Sequence, residues 1–140
     1  MLKGLHPLIS PSLLTVLAEM GHGDELAIID ANFPAATMAR RLVHMPGLPA
    51  PQVLEAVLTL LPLDDFVSSP AAIMAPSQGR PPVAADFQQA LDAAQGSAVA
   101  IEDIERFAFY ERARAAFAVV ATGETRLYGC ILVRKGVIRP

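Results

Sequence analysis

The sequence predicts an α/β fold, a three-layer α/β/α sandwich around a mixed, mainly parallel sheet of about six strands. Three observations lead there. Short uncharged apolar runs, Leu26 to Ile29, Ala71 to Ala75 and Phe117 to Thr122, have the make-up of buried strands. Segments with apolar residues at helical spacing lie between such runs, two of them introduced by proline. Strands alternating with helices in this way give a mainly parallel sheet covered on both faces.

Ser10-Pro11 reads as an N-cap followed by proline at the first helical position, and Leu13, Leu14, Leu17 and Met20 form one apolar stripe behind it. Gly21 can take the left-handed conformation that closes a helix. The strand Leu26 to Ile29 follows and ends at Asp30, before a polar loop that Pro34 stiffens. Ala35 to Arg41 reads as a short helical turn and Arg41 to Met45 as a second strand, broken by Pro46-Gly47. Pro49 and Pro51 introduce a helix with Val53, Leu54, Val57, Leu58 and Leu61 inward, and Pro62 ends it. Ala71 to Ala75 is the third strand, and Ala84 to Ala94 the next helix. Ser97 to Ile101 is expected as the fourth strand, Asp103 to Ala115 as a helix, and Phe117 to Thr122 as the fifth strand. Tyr128 to Lys135 is the sixth. The last two strands are joined by only a few residues and are expected to pair antiparallel, which makes the sheet mixed.

The 140 residues fit a single domain with a real core. Hydrophobic residues are 53% and charged residues 18%, with a mean hydropathy of +0.41. A membrane span needs about 18 or more nearly uninterrupted apolar residues. The long uncharged stretch Phe66 to Gly79 is interrupted by three serines and two prolines, so no membrane is expected. The apolar composition is instead that of a homo-oligomer, whose obligate interfaces resemble a domain core cut in half. A net charge of −3 gives no reason to expect nucleic acid. The segment Met1 to Pro7 lacks the apolar core of a signal peptide, and the single Cys130 suits a reducing compartment, so the cytoplasm is the expected location.

His22 stands between Gly21 and Gly23, where nothing bulky shields its imidazole. Asp30 ends the first strand, where open α/β sheets bind ligands. One titratable ring and one carboxylate in such loops can act as an acid–base pair. The alternatives are a solvated loop histidine and a carboxylate capping its own loop. The tract Glu105 to Arg112 reads as an amphipathic helix with Phe107 and Tyr110 inward and Glu111 and Arg112 in solvent. Arg106 at its start is mildly disfavoured by the helix dipole and needs another reason to be there. His6 and His44 read as structural or surface residues. Cys130 reads as a small strand filler, since nothing places a histidine near it. Three scattered histidines and one cysteine offer no metal-ligand spacing. With no phosphate-binding Gly-rich loop either, no cofactor is expected.

Several stretches together resemble one known family. They are Met1-Leu2-Lys3-Gly4, Pro7 to Pro11, Leu17 to Glu25, Asp30-Ala31-Asn32-Phe33-Pro34, Arg106 to Ala113, Thr122-Gly123-Glu124 and Tyr128-Gly129. In order and over the whole chain they resemble the D-ribose pyranase and fucose mutarotase superfamily. The Leu17 to Asp30 block is similar to both branches, while Asn32-Phe33-Pro34 and the Arg106 to Arg112 tract are similar to the fucose branch.

The resemblance implies a cofactor-free isomerase that interconverts the anomers of L-fucose or a related monosaccharide. It also implies a ring-shaped decamer with sugar pockets near subunit contacts. The acid–base histidine of the family falls on His22, and the sugar-binding residues fall on Asp30, Arg106, Tyr128, Gly129 and Cys130. Two positions depart from the pattern. Cys130 stands where the family usually carries asparagine, and Asn32 where histidine is often expected. D-ribose pyranase activity and a non-catalytic sugar-binding oligomer are the alternative readings.

Overall fold

The computed structural model describes residues 1–140. Ser10 caps the first helix, α1 (Pro11–Glu19), by accepting a hydrogen bond from the Leu13 amide at 3.2 Å. The other helices are α2 (Ala35–Met38), α3 (Ala50–Leu58), α4 (Ala84–Gln95) and α5 (Arg106–Ala115). The strands are β1 (Glu25–Ile29), β2 (Leu42–Met45), β3 (Ala71–Met74), β4 (Ile101–Ile104), β5 (Ala118–Thr122) and β6 (Ile131–Arg134). They form one sheet in the order β2-β5-β1-β6-β3-β4. Every pairing is parallel except those of β6, which runs antiparallel to both β1 and β3.

Alternation along the strands sorts side chains onto two faces. Leu26, Ile28, Ile73, Val120, Ile131 and Val133 face the larger core, built with α1, α3 and α4. Ala27, Ile29, Met74, Val119, Cys130 and Leu132 face the smaller one, built with α2 and α5. Phe87 and Phe109 are fully buried, one on each side, and truncating either to alanine costs about 3–5 kcal/mol. The three layers are those the sequence predicts.

Four local expectations are corrected. α1 ends at Glu19, and Met20 is an extended C-cap, so Gly21 does not close the helix. The left-handed glycine is Gly23, at φ +86°. In place of a strand at Ser97 to Ile101, β4 covers Ile101–Ile104, and α5 starts at Arg106. β4 is an edge strand paired only with β3, so Glu102 and Asp103 sit exposed within it. Those acidic residues imitate the start of a helix in the sequence. β5 and β6 do not pair. β6 has buried side chains on both faces and inserts between β1 and β3, and Tyr128 to Cys130 lie in the loop before it. In α5 the buried residues are Phe109 and Ala113, one turn apart, while Phe107 is 61% exposed and Arg112 pairs with Glu25 and Glu102.

Candidate functional site

The five parallel strands all point the same way, so their carboxyl ends make one edge of the sheet. β6 begins at that edge. Asp30 follows β1 there and is 7% exposed. Its Oδ1 accepts the Asn32 amide at 2.9 Å, which turns the loop back on itself. Its Oδ2 accepts the Cys130 thiol at 3.3 Å. Tyr128 is the one non-glycine residue with positive φ, +60°. The Cys130 amide bonds back to its carbonyl at 2.8 Å, a three-residue turn centred on Gly129. Only glycine fits at 129, because a Cβ would stand 2.5 Å from Glu124 Cγ and 3.3 Å from Asp30 Cβ.

Glu124 is the hub behind this loop. It is buried, and its carboxylate accepts bonds from the Ala50 amide at 3.3 Å, the Arg126 amide at 2.9 Å and the Arg126 guanidinium. Its own carbonyl accepts the Ala31 amide at 2.9 Å. The Arg126 guanidinium, against the opposing effect of burial, holds the Glu124 carboxyl below the usual carboxylate range. Arg126 reaches on to Asp86 in α4 at 2.6 Å.

Arg106 opens α5 at the same edge. The Glu105 side chain caps the helix, accepting the amides of Phe107 and Ala108 at 2.9 and 2.7 Å, and so supplies the negative charge that the helix start favours. The Arg106 guanidinium lies over the Phe107 ring at 4.6 Å and the Tyr110 ring at 6.0 Å, which is the further reason its position needed. Tyr110 in turn packs edge-on against Phe33, 5.3 Å between centroids, tying α5 to the loop after Asp30.

His22 belongs to the opposite edge. Gly23 donates to the Lys135 carbonyl at 2.8 Å, and Lys135 Nζ donates to the Leu17 and Met20 carbonyls at the end of α1. The imidazole is half-exposed and packs against Phe66, 5.1 Å between centroids. Its Nε2 lies 3.1 Å from Oδ1 of Asp64. Asp64 is buried and also accepts the Phe66 amide at 3.1 Å and Arg134 Nε at 3.0 Å. Burial pushes its carboxyl up, but these bonds together outweigh burial and hold it below the usual value. An ionised carboxylate only accepts, so the imidazole nitrogen facing it carries the hydrogen and Nδ1 is left as the acceptor.

The structure therefore joins Asp30 directly to Cys130 beside Gly129 and Tyr128, places Arg106 at the same edge of the sheet, and holds His22 at the other. β1 has five residues, which at about 3.3 Å per residue separate the two edges by roughly 16 Å. The acid–base pairing of His22 with Asp30 is not made within the chain. His22 pairs instead with Asp64, a residue sequence reasoning missed. The only signal was a carboxylate doublet, Asp64-Asp65, behind Leu61-Pro62-Leu63. Glu124 was legible only as part of the Thr122-Gly123-Glu124 stretch that carries the resemblance. Cys130 is fully buried with its thiol turned to Asp30, and its carbonyl accepts the Met74 amide at 3.3 Å. Burial foremost, then the neighbouring Asp30 carboxylate, push that thiol well up, so it is a donor and not a nucleophile. No group of three or more His, Cys, Asp or Glu is arranged to hold a metal ion. No helix is long and apolar enough to cross a membrane.

Comparison with known proteins gives consistent results. The human protein named fucose mutarotase is 51% identical over an alignment covering 98% of this chain and 94% of that protein. The crystal structure of the Streptococcus pneumoniae fucose mutarotase in complex with L-fucose superposes with a TM-score of 0.93 at 40% identity, covering 99% of this chain and all of that one. Bacillus subtilis RbsD, solved with D-ribose, shares the fold at a TM-score of 0.69 and 23% identity, with 99% of this chain and all of that one covered. The RbsD / FucU transport protein family model matches residues 3–138, and the chain belongs to that family.

Proposed function

We propose that the protein is a mutarotase that interconverts the α and β anomers of L-fucose by acid–base opening of the pyranose ring. The observation that carries this reading is the His22–Asp64 pair on a chain whose relatives are named for that reaction. Ring opening needs a base on the anomeric O1–H and an acid on ring O5. Reclosure on the other face of the aldehyde reverses the roles. No electrons move and no group leaves, so the chemistry asks for no cofactor. His22 Nδ1 takes the proton from O1–H and delivers it to ring O5 as the C1–O5 bond breaks, the Asp64 carboxylate stabilises the transient imidazolium, and closure runs the same transfers in reverse. Positioned proton transfer of this kind contributes about 10²–10⁴-fold. Asp30 and Arg106 fix sugar hydroxyls through charge-assisted hydrogen bonds, and Tyr128 supplies a ring face and a phenol.

Since His22 and Asp30 lie on opposite edges, a complete site takes His22 from one copy of the chain and Asp30 from another. The surface supports that arrangement. Phe66 is 65% exposed beside His22, while Phe107 and Leu127 are 61% and 69% exposed at the Asp30 edge. Two unlike apolar edges that meet head to tail make a heterologous contact, which generates a ring where the rotation between copies closes. A ring-shaped decamer in the cytoplasm, a reducing compartment suited to a chain with one free thiol, completes the reading.

Saturation-transfer NMR on the anomeric protons tests it, with exchange of L-fucose expected to accelerate without added metal or nucleotide. Unchanged exchange for fucose and related sugars sinks the enzyme reading. Ribose responding while fucose does not selects pyranase activity. Calorimetric sugar binding beside unchanged exchange selects a non-catalytic sugar-binding oligomer.

A further inference from the structure

We propose that Cys130 is a positioning residue for Asp30, its thiol orienting the carboxylate that binds the sugar without touching the sugar itself. The proposal rests on the reading of Asp30 as a sugar-binding residue. Each Asp30 oxygen has one protein donor, the Asn32 amide on Oδ1 and the Cys130 thiol on Oδ2. A carboxylate has about four acceptor positions, so both oxygens keep capacity for sugar hydroxyls. A thiol is a weak donor, which fixes the direction of Oδ2 while taking little of its accepting strength.

The thiol cannot easily serve another partner. Cys130 is fully buried, on the face shared with Ala72, Met74 and Leu132. Its amide is taken by the Tyr128 carbonyl and its carbonyl by the Met74 amide, so the backbone fixes the direction of the side chain from both sides. At Gly129 an added Cβ would stand only 3.3 Å from Asp30 Cβ, so a side chain there would crowd the carboxylate that Cys130 faces. Burial, together with the neighbouring carboxylate, keeps the thiol protonated and hence able to donate. A side chain so placed reaches a sugar only through Asp30.

A double-mutant cycle read by calorimetric L-fucose affinity and by exchange rate at saturating sugar tests this on the intact protein. Cys130→Ala should weaken affinity about three- to tenfold, the range expected for one hydrogen bond, with the saturated rate within about twofold of the parent. Cys130→Ser, which keeps a donor, should restore affinity to within about twofold. In an Asp30→Asn background, Cys130→Ala should cause no further loss. Losses that add in the double variant overturn the proposal, because Cys130 then acts independently of Asp30. A lowered Tm with unchanged affinity in Cys130→Ala also overturns it, leaving the thiol as filler. If Asp30→Asn alone leaves affinity unchanged, the sugar-binding reading of Asp30 is what fails. Should Cys130→Ala not fold, Cys130→Val, apolar and without a donor, takes its place against Cys130→Ser.

Discussion

Nε2 of His22 and Oδ1 of Asp64 lie 3.1 Å apart across 42 residues of sequence, one side chain half in solvent and the other buried. The buried partner dictates the tautomer of the exposed one. Asp64→Asn breaks that instruction, because an amide can present either a donor or an acceptor to Nε2. His22→Ala removes the ring altogether. Both variants should lower anomer exchange at saturating L-fucose by about 10²–10⁴-fold, the range of positioned proton transfer. His22→Ala should leave a folded protein, since the ring is half in solvent and Asp64 keeps the Phe66 amide and Arg134 as partners. Near-parental exchange in His22→Ala would place the acid–base group elsewhere, with Tyr128 the next residue to replace.

Mixing two impaired variants tests whether the site is shared. His22→Ala lacks the proton-transfer group, and Asp30→Asn lacks the charge that holds hydroxyls. If each site draws on two neighbouring copies in a ring, subunits exchanged in equal amounts and reassembled at random should give intact sites in about a quarter of positions. Exchange activity should recover in that proportion by saturation-transfer NMR. A site confined to one subunit recovers none.

Acid stability has a sign fixed by Asp64 and Glu124. Both carboxyls lie below their ordinary values in the folded protein, so between the folded and unfolded values the unfolded chain binds more protons. Their stabilising contribution is full above about pH 4.5, the ordinary upper range for carboxyls, and is lost as pH falls through the lower folded values. Urea unfolding from pH 6 to pH 3 should therefore show stability falling with acid. Glu124→Gln should be less stable at pH 6 and show a shallower fall. An identical slope in that variant would remove Glu124 from the account.

What the sequence made legible was mostly local. Apolar runs located β1, β3 and β5, and Ser10-Pro11 located the start of α1, because those signals act over a few neighbouring residues. β4 was misplaced because an edge strand tolerates Glu102 and Asp103, which carry no strand pattern. The position of β6 was misread because a short connection normally means a hairpin. Here that connection is spent on the Tyr128–Cys130 turn, and the strand crosses to a slot between β1 and β3. Resemblance grouped Asp30, Arg106 and the Tyr128 segment, which the fold places at one edge of the sheet. Asp64 was not legible, since its meeting with His22 depends on Pro62 to Asp64 running beside the end of β6, where Leu63 bridges Lys135 and the Asp64 amide bonds to the Arg134 carbonyl at 3.0 Å.

β6 ties both ends of the molecule to one length. Its first neighbour, Cys130, meets Asp30, and its last residue, Arg134, meets Asp64. One inserted residue would turn Cys130 to the other face of the sheet. Two would restore the face but lengthen the strand by about 7 Å and pull one end out of place. The antiparallel strand is a strut of fixed length, holding the Asp30 loop and the His22–Asp64 pair at one separation from each other.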